Sequence, residues 1–203
     1  MEKTKKQYQS EHTKEQIVSA VIHLLVTKGY GNTSITDISQ ESGLTKGALY
    51  HHFKDKEEVF YRAISYLSDV LKRNLIVKVS ASGDSLQRLR YLFDTFIELN
   101  ENNNQYVQIV SSLILGMGDL GTALVKPLEE FFSELSYYIE RIIVKGQTSR
   151  EINPDLDAKL LSFNIIGMLF GNTIPWVLNK DRINYKAMMN VQKEILLKSL
   201  KIS

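Results

Sequence analysis

The chain has 203 residues, of which 43% are hydrophobic, so it can bury a sizeable core and is not an intrinsically disordered protein. It has no cysteine, which excludes disulfides and thiolate metal sites, and its polar N-terminus lacks the apolar core of a secretory signal. The formal net charge is +2, and this surplus lies within residues 1–56, which hold eight lysines and six carboxylates. We expect a cytoplasmic protein.

A first amphipathic helix is predicted from Thr13 to about Lys28. Thr13 and Gln16 have the spacing of a capping box, and the apolar residues that follow recur on one helical face until Gly29. His23 lies within this apolar pattern, so we expect it to be packed rather than functional. The lysines before the helix form either an arm that reaches DNA or a solvated terminus: Lys3, Lys5 and Lys6.

Two short helices joined by a glycine turn are predicted between Ser34 and His52. Ser34 can cap the first helix, Gly43 stands where the chain must turn left-handed, and Thr45 can cap the second helix. Burial of Ile38, Leu44 and Leu49 would fix the angle between the two helices and leave the opposite face exposed. This pattern is typical of a helix-turn-helix, whose second helix lies in the major groove of DNA.

The exposed face of the second helix suits a DNA duplex. Lys46 and His51 can donate to phosphates or bases, Tyr50 can donate to a phosphate, and the small Gly47 and Ala48 let the backbone approach base edges. Lys54 and Lys56 stand at the start of the next helix, whose amides also favour an anion. The predicted DNA-binding residues are Ser34, Thr36, Thr45, Lys46, Gly47, Ala48, Tyr50, His51, Lys54 and Lys56.

Helical periodicity continues to the end of the chain, which predicts an all-α protein of about nine helices. Residues 1–56 would form an N-terminal arm and DNA-binding domain that continues into a linking helix over residues 56–79. Residues 80–203 would form a second helical domain. Its fourth helix would begin at Asn153-Pro154-Asp155 and run towards Trp176, with a kink at Pro175.

An apolar segment from Ile165 to Leu178 is shorter than the roughly 20 residues that a bilayer requires, so we expect no membrane span. Gly167 and Gly171 lie four residues apart and would let another helix approach closely. With the last helix, this segment exposes more apolar surface than one partner helix covers, which predicts a two-fold four-helix interface. The predicted interface residues are Leu160, Asn164, Gly167, Met168, Gly171, Met188, Ile195 and Leu196.

Aromatic and methionine side chains are numerous in the middle helices. Most such residues form ordinary core, but together with interspersed amides they would also suit a cavity for an apolar ligand. The predicted pocket residues are Phe93, Phe96, Tyr106, Val110, Leu113, Met117, Phe131, Tyr138, Asn164, Met168 and Asn172.

The run from Gly43 to Glu58, GLTKGALYHHFKDKEE, preceded by Thr36-Asp37-Ile38, resembles the signature of the TetR family of bacterial transcriptional regulators. The resemblance covers the first quarter to third of the chain, and Ser39 stands where the family often has alanine. It implies a homodimer formed through the last two helices, a double-stranded operator and a small-molecule inducer. In such a dimer, two recognition helices roughly 34–36 Å apart would bind a palindromic operator.

Three functions remain open at this point. The first is a ligand-released repressor, and the second is an architectural or protein-partner regulator of the same fold that lacks an inducer. The third, an enzyme, is disfavoured because the chain has no Gly-x-Ser-x-Gly elbow, His-Glu-x-x-His pair or thiol nucleophile. We expect neither a cofactor nor a metal.

Overall fold

The computed structural model describes residues 5–77, 83–101, 106–115 and 122–202. Every regular element within these ranges is a helix, which confirms the predicted all-α fold for them. The helices are α1 (Lys5–Thr27), α2 (Ile35–Ser42), α3 (Lys46–His52), α4 (Lys56–Lys72), α5 (Ser85–Glu101), α6 (Tyr106–Leu115), α7 (Thr122–Thr148), α8 (Ala158–Gly171), α9 (Thr173–Val177) and α10 (Tyr185–Ser199).

The chain forms two compact units, Met1–Ser68 with Ser112–Leu128 and Asp69–Ser111 with Glu129–Ser203. Each has its own apolar core, because the helices bury one face and expose the other. Fully buried side chains of the first unit include Ile17, Val21, Ile38 and Phe60, and those of the second include Leu89, Phe93, Ile139, Leu169 and Met189. Burying one such side chain contributes about 1.5–3 kcal/mol.

Helix α1 differs from its prediction in two respects. It begins at Lys5, so Thr13 lies inside the helix and the predicted capping box is wrong. His23 is exposed rather than packed, and its Nδ1 lies 2.6 Å from Oε1 of Glu41 in α2. Val21, Leu24 and Leu25 are buried on the apolar face of α1, whereas the exposed His23 ring links α1 to α2.

Helix α4 continues directly into a π-helical turn, Arg73–Val77. Leu75 in this turn is fully buried, and Nδ2 of Asn74 donates to the carbonyl of Val70 at 2.8 Å. Just before the turn, Lys72 forms an ion pair with Glu134 of α7. The turn packs against α5.

Helices α5 and α10 pack against each other and are joined by charged side chains. Arg90 forms an ion pair with Glu194. The buried Nζ of Lys193 donates to Oδ1 of Asp94 at 2.5 Å and to Oδ1 of Asn190 at 2.8 Å. The anionic and the neutral acceptor offset the desolvation penalty of burying the Lys193 ammonium.

Helix α8 begins at Ala158, where the Asp157 carboxylate accepts from the amide of Leu160 at 2.9 Å, so the predicted start at Asn153 to Asp155 is wrong. Helix α8 ends at Gly171, and α9 begins at Thr173. The interruption is at Asn172, three residues before Pro175.

The helical stretch Ala158–Val177 starts later than the predicted helix but is longer than the apolar segment from Ile165 to Leu178, and by length and composition alone it could cross a bilayer. Two faces of α8 account for its apolar character. Ile165, Leu169 and Phe170 are buried within the subunit, whereas Leu160 and Phe163 are exposed.

Candidate nucleic-acid interface

The first helix of the motif, α2, is fixed at both ends by hydrogen bonds that were predicted from the sequence. The Ser34 hydroxyl accepts from the amide of Asp37, and the Asp37 carboxylate accepts from the amide of Ser34 at 2.7 Å, forming a capping box. At the other end Gly43 has a φ of 69°, and the amide of Leu44 donates to the carbonyl of Ser39 at 3.2 Å. The turn therefore has one defined geometry.

Ser39 adds a bond that the family's usual alanine could not form. Its hydroxyl donates to the carbonyl of Leu44 at 2.5 Å, across the glycine turn. A hydrogen bond between two uncharged groups contributes about 1 kcal/mol to the free energy of unfolding. The serine therefore ties the end of α2 to the residue that precedes the cap of α3.

The second helix, α3, begins at the predicted cap. The Thr45 hydroxyl accepts from the amide of Ala48 at 3.2 Å, and Leu49 is buried together with Ile38 of α2. Leu44 is half-buried between the two helices. Since Leu49 fixes the inward side of α3, the opposite side of the helix faces solvent.

The reading face, which we define as Lys46, Gly47, Tyr50 and His51, is exposed as predicted. Tyr50 is 56% exposed, whereas a tyrosine whose role was to fill the core would be buried. Among the described residues, a Cβ added to Gly47 would meet the Thr45 hydroxyl alone, at 3.9 Å, so the described neighbours do not require glycine there. This arrangement leaves the N-terminal half of α3 open to a partner.

The other predicted DNA-binding residues divide into three groups. Thr36 and Lys54 are exposed, and Ala48 is half-buried. Ser34 and Thr45 serve as helix caps, and the Ser34 hydroxyl also donates to the Asp37 carboxylate at 2.5 Å, so it has no hydrogen left for a phosphate. Lys56 is likewise engaged within the protein, because its Nζ donates to the carbonyl of Tyr30 at 2.8 Å.

The start of α4 also differs from the predicted anion site. The Asp55 carboxylate accepts from the amide of Glu58 at 2.8 Å, and the Glu58 carboxylate accepts from the amide of Lys54 at 2.8 Å. These two carboxylates bond one amide in the first turn of α4 and one just before the helix, and they supply the negative charge that the helix dipole favours. A phosphate would meet like charge there.

Sequence reasoning missed one charged contact at this interface. Nζ of Lys28 lies 2.6 Å from Oδ1 of Asp37, which joins the end of α1 to the start of α2. The bonds from Lys28 and Ser34 hold the pKa of the Asp37 carboxyl well below its usual range. His52, next to the reading face, has a pKa below its usual value because of burial and the neighbouring charges of His51 and Lys14.

A second exposed surface lies on the other unit. We call it the apolar stripe, and its residues are Leu160, Phe163, Ile174, Leu178, Val191 and Ile195. Between its helices a groove of about 420 Å³ is lined by Phe163, Asn164, Gly167, Met168, Gly171, Asn172 and Gln192. In the described parts of the chain, no atom lies within 4 Å of a Cβ added at Gly167 or Gly171.

The predicted interface residues fall on or beside this stripe, with one exception. Leu160, Asn164, Gly167, Gly171 and Ile195 are exposed, and Met168 and Met188 are half-buried. Leu196 is only 3% exposed because it belongs to the face of α10 that packs inside the subunit, so its prediction as an interface residue is wrong.

The predicted pocket residues lie in different environments. Phe93, Phe96, Val110, Leu113 and Phe131 are buried. Tyr138 is half-buried, and its hydroxyl is buried without a hydrogen-bond partner among the residues that the structure describes. Asn164, Met168 and Asn172 line the groove of the apolar stripe instead. Met117 and the side chain of Tyr106 lie outside the described residues. No cluster of three metal-ligating side chains occurs in the described ranges.

Comparison with known proteins agrees with this geometry. The family model "Bacterial regulatory proteins, tetR family" matches residues 17–63, which span α1 to the first half of α4. The fatty acid metabolism regulator protein of Bacillus subtilis is 21% identical over 185 residues, covering 91% of this chain and 94% of that protein.

Solved structures show the same fold along nearly the whole chain. Transcriptional regulator FadR from Bacillus subtilis, in complex with stearoyl-CoA, has a TM-score of 0.77 and 19% identity over 92% of this chain and 98% of its own. AibR, in complex with isovaleryl coenzyme A and operator DNA, has a TM-score of 0.73 and 19% identity over 93% and 97%.

The exposed reading face therefore belongs to a helix-turn-helix of known type. With its capped α2, its glycine turn and the family match over the same residues, this chain belongs to the TetR family of bacterial transcriptional regulators.

Proposed function

We propose that the protein is a repressor that binds a palindromic operator as a homodimer and leaves it when an acyl-coenzyme A thioester binds. The observation that carries the DNA-binding part is the reading face, where a lysine, a histidine, a tyrosine and an unobstructed glycine lie exposed on one side of α3. We assign the protein to the cytoplasm, where its DNA would be, and assign it no enzymatic activity.

The apolar stripe supports the homodimer. Its six members are between 42% and 78% exposed on a single subunit, although large apolar side chains of a stable monomer are mostly covered. A two-fold axis would place α8 and α10 of a second copy against the stripe and would bring each groove opposite a copy of itself. The open space at Gly167 and Gly171 would admit side chains of the second copy.

The relatives support the ligand class. FadR, similar along nearly its whole length, was solved with stearoyl-CoA, and AibR was solved with isovaleryl coenzyme A. In this chain the rings of Phe96, Phe131 and Phe132 all lie within 6.3 Å of the Phe170 ring, which forms an aromatic cluster that suits an acyl chain. The unpartnered hydroxyl of Tyr138 could hydrogen-bond a polar group of the ligand.

Release from DNA would follow from a population shift. A ligand that binds better to one conformation of the dimer favours that conformation, and movement of α4 would change the spacing between the two reading faces. The dimer would then no longer fit both half-sites at once. The loss of operator affinity cannot exceed the ligand's differential affinity for the two conformations.

The Lys46→Ala and Tyr50→Phe variants test the reading face. We expect Lys46→Ala to weaken operator binding by about 1–3 kcal/mol and Tyr50→Phe by about 1 kcal/mol, while the dimer stays intact. Lys54→Ala should instead weaken binding to operator and random DNA equally, because a phosphate contact carries no sequence information. Fluorescence anisotropy with an operator selected from genomic fragments measures all three.

An effect of Lys54→Ala confined to the operator would contradict its role as a phosphate contact. If the wild-type protein prefers no genomic fragment over scrambled competitor, the proposed function is wrong as a whole.

Stearoyl-CoA should lower the operator affinity of the dimer by about tenfold or more, because a regulatory ligand typically contributes about 1–3 kcal/mol of coupling. Coenzyme A without an acyl chain serves as the control and should have little effect, since the apolar chain would supply most of the binding. The measurement is operator anisotropy during titration, with the same series repeated for shorter acyl chains. If none of these thioesters changes the affinity, the ligand class is wrong and a regulator without an inducer is favoured.

A further inference from the structure

Two lysines hold the connection between α1 and α2, residues 28–34, from opposite sides. Nζ of Lys28 lies 2.6 Å from Oδ1 of Asp37, in the first turn of α2. Nζ of Lys56, in the first turn of α4, donates to the carbonyl of Tyr30 at 2.8 Å and lies 4.3 Å from the centre of the Tyr30 ring. One short connection thus joins the starts of both helices.

The connection itself is held by internal bonds. Gly29 has a φ of 75°, and the buried Thr33 hydroxyl donates to the carbonyl of Gly29 at 2.7 Å. Nδ2 of Asn32 donates to the carbonyl of Lys28 at 3.2 Å. Because these bonds hold the segment together, it would move as a unit. A displacement at Tyr30 would therefore also reach the start of α2.

Aromatic packing sets the place of Lys56. The Tyr30 ring meets the fully buried Phe60 ring edge to face, with 4.8 Å between their centres. Phe60 lies one helical turn after Lys56 on α4, and Nζ of Lys56 is 5.6 Å from its ring centre. The Lys56 ammonium therefore lies against two aromatic rings and a carbonyl, on a side chain that is partly buried.

The surrounding charges agree with an internal role for this lysine. Burial lowers the pKa of Lys56, while the nearby carboxylate of Asp37 opposes that effect. Asp37 thus acts on both lysines, directly on Lys28 and through space on Lys56. The start of α4 also carries the capping carboxylates of Asp55 and Glu58, which would repel a phosphate.

We propose that Lys56 is a positioning residue for operator binding, which fixes the start of α4 to the connection that carries α2 and does not contact a DNA phosphate. This inference rests on the proposed operator binding and replaces the phosphate contact predicted from the sequence. Lys54, two residues earlier and exposed, keeps the role of phosphate contact.

The salt dependence of operator binding separates the two roles. Each phosphate contact releases counterions and contributes about 0.9 to the slope of log affinity against log salt concentration. We expect Lys56→Met to weaken operator binding roughly three- to tenfold without changing this slope, because part of a charge-assisted hydrogen bond is lost inside the protein. The matched control, Lys54→Met, should reduce the slope by about one.

Hydrogen exchange on the free protein supplies a readout that needs no DNA. Amides of α2 should exchange faster in Lys56→Met than in wild type and should be unchanged in Lys54→Met, because Lys56, unlike Lys54, donates to the connection before α2. Lys56→Gln retains an N–H donor for the Tyr30 carbonyl without the charge, so it should protect α2 better than Lys56→Met. This comparison stays informative if the methionine variant is poorly folded.

A slope reduced by about one in Lys56→Met, together with unchanged exchange in α2, would overturn the proposal. Absence of any operator preference in the wild-type protein would instead refute the proposed function, while the exchange comparison would still decide whether Lys56 positions α2.

Discussion

Substituting Gly47→Glu is expected to abolish operator binding while leaving the thermal stability of the protein unchanged or slightly higher. Gly47 lies in the first turn of α3, where a Cβ meets only the Thr45 hydroxyl at 3.9 Å. Replacing a helical glycine contributes about 1 kcal/mol to stability, and an acidic side chain in the first turn adds about 0.3–1 kcal/mol through the helix dipole.

The same carboxylate is unfavourable once α3 lies in a major groove. It would approach the phosphates and the acceptor edges of the bases, and like charges brought together at an interface cost several kcal/mol. We therefore expect operator affinity to fall by more than about a hundredfold. Calorimetric melting and operator anisotropy measure the two opposite effects on one variant.

Two further variants serve as controls for this experiment. Gln40→Glu makes the same change of charge at an exposed position of α2 that we do not assign to DNA, so it should reduce affinity far less. Gly47→Ala should melt higher than wild type and lose only part of the affinity, since a methyl group is small. Operator binding by Gly47→Glu close to that of wild type would show that this end of α3 does not enter the groove.

The Ile195→Asp variant is expected to be a folded monomer with operator affinity reduced by orders of magnitude. Ile195 is 64% exposed in the subunit, so an aspartate there costs the isolated subunit little. In the homodimer it would be buried without a partner, and an uncompensated buried charge costs about 3–5 kcal/mol at each symmetry-related position. The monomer has a single reading face and would therefore bind only one half-site.

Sedimentation at micromolar concentration measures the first effect, and operator anisotropy measures the second. Val144→Asp is the matched control, because Val144 is a β-branched residue that is 45% exposed on α7, outside the apolar stripe. It should remain dimeric and bind the operator normally. A wild-type protein that sediments as a monomer, or an Ile195→Asp protein that stays dimeric, would remove the apolar stripe as the interface.

The parts of the site that were predictable from the sequence are those with local causes. The cap at Ser34, the left-handed Gly43 and the cap at Thr45 each depend on residues within five positions of one another, so their spacing identifies them. The burial of Ile38 and Leu49 follows from helical periodicity, and it determines which side of α3 is exposed.

Contacts made across the fold were not predictable in this way. The partners of His23, Lys28 and Lys56 lie 18, 9 and 26 positions away in the sequence, and only tertiary packing brings them together. Leu196 shows a related limit. α10 is apolar on two faces, one packed inside the subunit and one exposed, and periodicity alone does not distinguish them.

The π-helical turn at Arg73–Val77 would allow α4 to change its length in one step. A π turn holds one residue more than an α turn over nearly the same rise, so its conversion to α-helix would advance the helix before it by about 1.5 Å and rotate it by about 100°. The peptide hydrogen bonds would only exchange partners during this step. A helix that switches between two discrete lengths would transmit a signal in an all-or-none way, whereas a uniformly α-helical segment would have to bend or tilt gradually.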